Sequence, residues 1–261
     1  MRDRLAAADR PQVGMWVCSG SPLVAEICAG SGVDWLLVDG EHSPIGLETT
    51  TAILQAVAAY PVTPVVRVPS ADPVTIKQVL DLGAQNLLVP MVDTPEQAED
   101  AARAAQYPPR GIRGVGSALS RGARWNRIES YLENAARHVS LFVQVESATA
   151  VANAAKIAAV DGVDGVFVGP SDLAASLGVL GQQTHPEVTD AVLGTFEAVR
   201  AAGKPVGVNA FDPAQAQAYL DAGASFVLVG ADVALLARGS EALANRWVGN
   251  PTADVEPREG S

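Results

Sequence analysis

Ionisable side chains follow several of the apolar, strand-like runs of this sequence. The run from Trp35 to Val38 leads directly into Asp39, Glu41 and His42. A strand buried on both faces is apolar throughout, so charged groups at its end must face a polar environment. Comparable runs end in the polar side chains Arg67, Gln144, Glu146, Ser171 and Asp172. Carboxylates, an imidazole and a guanidinium gathered at strand ends are typical of an active site at the mouth of a parallel barrel.

Glu146 and Asp172 are the candidate metal ligands. Glu146, Gln144 and Phe142 alternate along one strand, so the three side chains share a face, which we take as the barrel interior. Two interior carboxylates from adjacent strand ends repel each other and are costly to bury, so they need a cation. Oxygen ligands without histidine or cysteine favour a hard ion such as Mg²⁺ or Mn²⁺. The alternative is that each carboxylate pairs with an arginine or caps a helix.

Arg67 and His42 are the candidates for handling charge and protons. Arg67 shares the interior face of its strand with Val65, where a guanidinium normally meets a carboxylate such as Asp39 or Glu41. The same group can contact substrate oxygens on which negative charge develops. His42 lies beside carboxylates at a strand end, which makes it a candidate general base.

The segment Gly169-Pro170-Ser171-Asp172 opens a helical turn, so its backbone N–H groups can receive a substrate carboxylate. The chain has three lysines: Lys77, Lys156 and Lys204. Two lie inside predicted helices and one precedes a strand at the opposite end of the barrel, which excludes Schiff-base chemistry. A metal, an arginine and a base without a covalent nucleophile fit proton abstraction next to a carbonyl, with the ion stabilising the enolate.

The elements that would position these groups alternate along the chain. Strands are predicted at 13–19, 35–39, 63–68, 86–92, 141–146, 165–169, 205–209 and 226–230. Ala-rich segments with apolar residues at helical spacing lie between them. This alternation predicts a (β/α)8 barrel. A doubly wound open sheet is the alternative, but no Gly-rich fingerprint follows the first strand of this chain. We expect residues 1–249 to form the single barrel and 250–261 to be a polar, disordered tail.

Composition narrows the class of protein. The net charge of −11 argues against a nucleic-acid surface, which needs clustered cations. Cys18 and Cys28 are predicted to be reduced core residues of a cytoplasmic protein. Neither a signal peptide nor a membrane-spanning run is predicted. One long connection, 107–130, contains five arginines. A solvated basic loop, anion recognition and a subunit contact all remain open for its segment 108–128.

Six motifs in sequence order resemble the HpcH/HpaI family of metal-dependent pyruvate aldolases. They are Asp39-Gly40-Glu41-His42, the Arg67 strand, Val89-Pro90-Met91, Tyr107-Pro108-Pro109-Arg110-Gly111-Ile112-Arg113-Gly114, Gln144-Val145-Glu146-Ser147 and Gly169-Pro170-Ser171-Asp172-Leu173. The resemblance runs from about Val13 to Trp247. It implies a barrel of the pyruvate/phosphoenolpyruvate-binding type, whose last helix is exchanged between subunits of a hexamer built as a trimer of dimers.

The resemblance also implies roles for individual residues. Glu146 and Asp172 would bind Mg²⁺, Mn²⁺ or Co²⁺, while Asp39 and Glu41 hold its water ligands. Arg67 would contact the keto oxygen of the substrate. The other substrate-binding and catalytic residues implied are Gln144, Gly169, Pro170, Ser171, Asp172, His42 and Asp81, with the Ser171 and Asp172 amides on the pyruvate carboxylate. Asp81 would reach His42 from a neighbouring subunit.

The activity implied is reversible cleavage of 4-hydroxy-2-oxo acids to pyruvate, or a related 2-oxo acid, and an aldehyde. A thioester lyase of the citrate-lyase-like type is one alternative, but no dedicated feature for a nucleotide tail is evident. A non-catalytic 2-oxo-acid-binding barrel is the other. The segment Gly207-Val208-Asn209-Ala210-Phe211 lies where relatives vary and faces the aldehyde, so the natural aldehyde stays open.

Overall fold

Eight parallel strands close into a barrel in the order β1 to β8, because β1 pairs with both β2 and β8. The computed structural model describes residues 1–249, so the tail expected at 250–261 lies outside the described residues. The strands are β1 (Gln12–Val17), β2 (Trp35–Asp39), β3 (Thr63–Arg67), β4 (Asn86–Val89), β5 (Ser140–Val145), β6 (Gly165–Val168), β7 (Val206–Asn209) and β8 (Phe226–Ala231). The predicted (β/α)8 fold is confirmed.

Helices lie between successive strands, and one further helix precedes β1 and another follows β8. They are α1 (Arg2–Ala7), α2 (Pro22–Ala29), α3 (Leu47–Ala56), α4 (Pro73–Asp81), α5 (Pro95–Ala105), α6 (Tyr131–Asn134), α7 (Ala148–Ala158), α8 (Pro170–Ser176), α9 (Pro186–Ala201), α10 (Pro213–Asp221) and α11 (Asp232–Trp247). Asp72, Thr94 and Asp212 each cap a helix that has proline at its start, and each side chain accepts a bond from a backbone N–H three residues on. Within residues 1–249, no helix has both the length and the apolar character needed to cross a membrane.

The amino-terminal helix and the end of β4 show the largest differences from the sequence prediction. Helix α1 was not predicted, and Met1 packs among the interior side chains at the amino-terminal end of the barrel, where its ammonium group donates to Asn86 Oδ1. Strand β4 was predicted to reach residue 92 but ends at Val89. Pro90 has no N–H to continue the ladder, and Met91 turns the chain with a φ of 55°.

Aromatic rings fill the barrel interior. Trp35 meets Phe226 edge to face with ring centroids 5.7 Å apart, and Phe142 contacts the same phenyl ring at 5.5 Å. A Cβ atom at Gly14 would lie 2.5 Å from the Trp35 ring, and one at Gly207 would lie 2.2 Å from the Phe226 ring. Glycine therefore makes room for each ring.

This interior layer fixes the direction of the functional side chains. Val65 and Phe142 belong to the interior cluster. Because side chains alternate along a strand, Arg67 and Gln144, two residues further on, also point inward at the carboxyl end. Asp39 is the direct register partner of Arg67 on the neighbouring strand. The barrel therefore brings the predicted strand-end groups to one mouth.

Candidate active site

A cavity of about 410 Å³ opens at the carboxyl ends of the strands. It is lined by Trp16, Cys18, Asp39, His42, Arg67, Gln144, Phe167, Gly169, Pro170, Ser171, Asp172, Asn209, Phe211 and Ala231. Most of the predicted site residues are among them. Glu41 and Glu146 lie immediately behind this lining, in contact with Arg67 and Gln144 respectively.

Arg67 is held on three sides. Its Nε donates to Asp39 Oδ1 at 2.9 Å, and its Nη1 lies 2.9 Å from Glu41 Oε2. The guanidinium carbon sits 4.4 Å above the Trp16 ring, a cation–π contact. The predicted ion pairing with Asp39 and Glu41 is present, and the side chain still lines the cavity. Arg67 is thus a fixed cation at the mouth.

Asp39 shapes the turn that carries His42. Besides Arg67, Asp39 Oδ1 accepts from the backbone N–H groups of Glu41 at 3.1 Å and His42 at 3.3 Å. Ser43 Oγ donates to Asp39 Oδ2 at 3.2 Å. The His42 ring is mostly exposed, and its Nε2 lies 3.8 Å from Glu41 Oε2. The imidazole therefore lies at the edge of the cavity, near Glu41 and open to solvent.

Glu146 is buried without a protein cation. Burial raises the pKa of its carboxyl to about 7; nearby Asp172 and Glu41 add to this, and hydrogen bonds from Met91 and Gln144 oppose it. Met91 N donates to Glu146 Oε1 at 2.7 Å, and the left-handed backbone of Met91 aims that N–H at the carboxylate. The Gln144 amide donates to the other oxygen. Two neutral donors hold this group, and no ion pair does among the described residues.

The carboxylates fit a divalent metal ion. Arg67 is shared by Asp39 and Glu41, and no ion pair to Glu146 or Asp172 is present among the described residues. Among residues 1–249, no three His, Cys, Asp or Glu side chains converge to hold a metal by themselves. Mg²⁺-type sites commonly use one or two carboxylates and fill the other positions with water or substrate. Oxygen donors in this number suit an open site for such an ion.

The start of α8 forms the remaining wall. Gly169 precedes the helix without a side-chain cap, so the first-turn N–H groups of Ser171 and Asp172 have no side-chain acceptor. A Cβ at Gly169 would lie 2.8 Å from Glu146 Oε2 and 3.0 Å from Gln144 Nε2. Glycine therefore lets the backbone approach the carboxylate closely.

Asp81 is the one predicted site residue that the fold of a single chain places elsewhere. It ends α4, does not line the cavity, and accepts from Arg113 Nη2 at 2.7 Å through Oδ1. The lysines are also remote: none lines the cavity, and Lys204 Nζ donates to the Val163 carbonyl at 2.5 Å. The arginine-rich connection is more than a solvated loop, because its Arg113 is buried against this helix end.

Sequence reasoning missed the contribution of two residues. Trp16 supports Arg67 by its ring face, and its Nε1 donates to Asn209 Oδ1 at 2.7 Å. Trp16 lies two residues after Gly14 on the first strand, so its side chain could have been predicted to point into the barrel. Asn209 fell within the variable seventh-strand segment, but nothing in the sequence paired it with Trp16.

Comparison with known proteins identifies the family of this chain. The profile of the family described as HpcH/HpaI aldolase/citrate lyase matches residues 12–239. A hydroxypyruvate/pyruvate aldolase of Deinococcus radiodurans is 53% identical over 251 residues, covering 96% of this chain and 91% of the relative. A 4-hydroxy-2-oxo-heptane-1,7-dioate aldolase of Salmonella dublin is 52% identical over 240 residues, covering 92% and 91%.

A solved structure gives the same result for the fold. The crystal structure of an HpcH/HpaI aldolase/citrate lyase family protein from Burkholderia cenocepacia superimposes with a TM-score of 0.90 at 41% identity, covering 94% of this chain and 97% of that one. Sequence and fold therefore agree. The chain belongs to the HpcH/HpaI aldolase/citrate lyase family.

Proposed function

We propose that this lyase reversibly cleaves 4-hydroxy-2-oxo acids to pyruvate, or a related 2-oxo acid, and an aldehyde, using a divalent metal ion. The observation that carries the proposal is the cavity at the barrel mouth. It places a fixed arginine beside two carboxylates that lack a protein cation, with an exposed histidine at the edge. The relatives named 4-hydroxy-2-oxo-heptane-1,7-dioate aldolase, at 52% identity, and hydroxypyruvate/pyruvate aldolase, at 53%, support this activity.

The chain's own groups divide the work on the substrate. Glu146 and Asp172 would hold the ion, which when bound supplies Lewis-acid stabilisation of negative charge on the substrate oxygens. Asp39 and Glu41 would orient its waters. Arg67 presents its guanidinium edge to the keto oxygen, where charge develops as the proton leaves.

The carboxylate of the 2-oxo acid would be held at the start of α8. The first-turn N–H groups of Ser171 and Asp172 have no side-chain cap, and both residues line the cavity with Gly169 and Pro170. Gln144, fixed by Glu146, would contact the substrate beside them. His42 would take or return the proton from its exposed position at the cavity edge.

Assembly would complete the site. Helix α11 buries only Asp232 and exposes Leu235, Leu236, Leu243 and Trp247, each more than 60% accessible. An amphipathic helix with its apolar face uncovered needs a partner surface. We propose exchange of this helix between subunits, in a hexamer arranged as a trimer of dimers, in the cytoplasm.

The same assembly would bring Asp81 to His42 of a neighbouring subunit. Asp81 Oδ1 is held by Arg113, which leaves Oδ2 for such a contact. Co-expression of His42→Ala with Asp81→Asn should restore part of the activity that each variant loses, because some sites receive both wild-type residues. Mixed oligomers that stay inactive would contradict the shared site.

Metal removal tests the proposed chemistry directly. EDTA should abolish cleavage of a 4-hydroxy-2-oxo acid, and Mn²⁺, Mg²⁺ or Co²⁺ should restore it. Glu146→Gln should remain folded yet bind Mn²⁺ weakly. Borohydride added with pyruvate should attach no mass to the protein, since no lysine lines the cavity. Full activity of the metal-free enzyme would refute the proposal.

A further inference from the structure

We propose that Asn209 donates a hydrogen bond to the aldehyde, so that the enzyme favours aldehydes with a hydroxyl or other oxygen next to the carbonyl over alkyl aldehydes. This inference rests on the proposed aldolase function and names the substrate class for its second half. Asn209 ends β7 and lines the cavity beside Phe211 and Ala231.

The orientation of the Asn209 amide follows from its partner. The Trp16 Nε1–H can only donate, so the group that faces it at 2.7 Å must be the amide oxygen. The Nδ2 group, with two N–H donors, therefore points away from Trp16. It has no hydrogen-bond partner among the described residues, and the side chain is only partly buried at the cavity wall.

Asn209 reaches from the end of β7 to Trp16 on β1, and none of the groups proposed for the 2-oxo acid lies on these two strands. The guanidinium of Arg67 covers the face of the Trp16 ring, and Asn209 is bonded at the edge of the same ring. One indole therefore sets the spacing between the group proposed for the keto oxygen and the free amide. Phe211 and Ala231 offer no side-chain hydrogen bonds to a substrate on this side.

The Trp16 donor beside Asn209 is already engaged. Trp16 has a single N–H, and the Asn209 amide oxygen accepts it. A substrate oxygen next to the aldehyde carbon would satisfy Nδ2. A substrate with a methyl group at that position would cover Nδ2 and leave it unpaired, and sites built to bond a polar group discriminate in this way.

The test measures aldol addition of two aldehydes to pyruvate in the presence of Mn²⁺. The aldehydes are glycolaldehyde and propanal, which has a methyl group in place of the hydroxyl. The ratio of kcat/KM for the two aldehydes should fall by about tenfold in Asn209→Leu. Asn209→Asp should lower it less, because the carboxylate keeps an acceptor for Trp16 and can also accept from the hydroxyl of glycolaldehyde. Asn134→Leu is the matched control, because Asn134 bonds to the Ser130 carbonyl and does not line the cavity.

Deuterium exchange of the pyruvate methyl group separates the possible failures. Wild-type protein that does not exchange pyruvate with Mn²⁺ refutes the aldolase proposal itself. If the wild type exchanges pyruvate but both Asn209 variants keep its ratio of kcat/KM for glycolaldehyde and propanal, the role of Asn209 alone is overturned. If both variants are inactive, the wild type decides: its KM for glycolaldehyde should be about tenfold below that for propanal, and equal values overturn the inference.

Discussion

Two buried arginines in this barrel have nearly the same surroundings and different positions. Arg67 pairs with Asp39 at 2.9 Å and stacks on Trp16 at 4.4 Å, whereas Arg113 pairs with Asp81 at 2.7 Å and stacks on Tyr107 at 4.6 Å. Arg67 lines the cavity at the strand ends. Arg113 is enclosed by the long connection and the end of α4.

The comparison separates what an arginine needs for stability from what it needs for chemistry. Arg67 has a second carboxylate, Glu41, and leaves part of its edge open to the cavity. Arg113 Nε and Nη1 are buried without a hydrogen-bond partner among the described residues, so this guanidinium is less well satisfied and has no access to a small molecule. A carboxylate and an aromatic face are common to both. Only exposure to the cavity indicates substrate binding.

The largest expected effect comes from lysine substitutions at the two arginines. Arg67→Lys keeps the charge but loses the planar donor edge, so aldol cleavage should fall by about 100-fold or more. Its unfolding temperature should change little, because an ammonium group remains near Asp39 and Glu41. Arg113→Lys should reduce cleavage far less. Similar losses of activity in the two variants would contradict the proposal that Arg67 binds substrate and Arg113 does not.

The raised pKa of Glu146 makes the stability of the protein depend on pH, which tests the group of charges at the cavity. Its folded pKa of about 7 lies above the ordinary value of 4.5, so the folded protein binds this proton more tightly than the unfolded chain. In metal-free protein its stabilising contribution is complete below about pH 4.5 and is lost as the pH rises through 7, a change of about 3 kcal/mol.

Glu146→Gln removes this titration while still accepting the Met91 N–H, and the free oxygen of Gln144 can accept from the new amide. Chemical denaturation of metal-free samples should therefore show the variant more stable than wild type at pH 8 and nearly equal to it at pH 4.5. Mn²⁺ at pH 8 should stabilise only the wild type. Parallel stability curves for the two proteins across this range would show that Glu146 is not a strained buried charge.

Arg113→Met tests the enclosed pair through stability. We expect the free energy of unfolding to fall by about 2 kcal/mol, less than the roughly 3–5 kcal/mol typical of a fully buried pair, because the Asp81 side chain is 26% exposed and can be rehydrated. Arg121→Met is the control, since Arg121 donates to the Leu82 carbonyl at the same helix end and forms no ion pair among the described residues. An equal loss in both variants would mean that Arg113 acts as a packing residue and not through its charge.

The smallest effects concern the two aromatic rings. Trp16→Phe keeps a ring below Arg67 but loses the bond to Asn209, so the free energy of unfolding should fall by about 1 kcal/mol. The Tyr107 hydroxyl is buried without a partner among the described residues, so Tyr107→Phe should be within about 0.5 kcal/mol of neutral, or stabilising. Urea denaturation measures both, and a larger loss at Tyr107 would reveal a partner for its hydroxyl.

Much of the mouth was predictable from strand parity. Arg67 and Gln144 could be placed because each lies two residues after an inward apolar residue, and the helix caps at Asp72 and Thr94 follow from a capping side chain before proline. These are local patterns. The Trp16–Asn209 bond joins residues 193 positions apart, and no local pattern encodes such a contact.

The enclosed arginine was equally hidden from the sequence. A connection with five arginines and several glycines is typical of a solvated loop, and which arginine becomes buried depends on how the loop packs on α4. Two hydrogen bonds hold the loop against the end of α4, from Gly122 N to the Asp81 carbonyl and from Arg121 to the Leu82 carbonyl. Arg113 is the arginine buried at this contact. Helix α1 was missed for a similar reason, since Met1 is buried only because the closed barrel provides an interior to receive it.

The central claim is that the cavity at the barrel mouth removes a proton from a 2-oxo acid with the help of a divalent ion. Proton NMR of pyruvate in D₂O measures this step without any aldehyde. With Mn²⁺ added and then removed by EDTA before the spectrum is recorded, wild type and Arg113→Lys should lose the methyl signal, whereas Arg67→Lys and Glu146→Gln should retain it. Equal deuterium exchange of pyruvate by Glu146→Gln and wild type would contradict the account, as would exchange by metal-free wild type to which no metal was added.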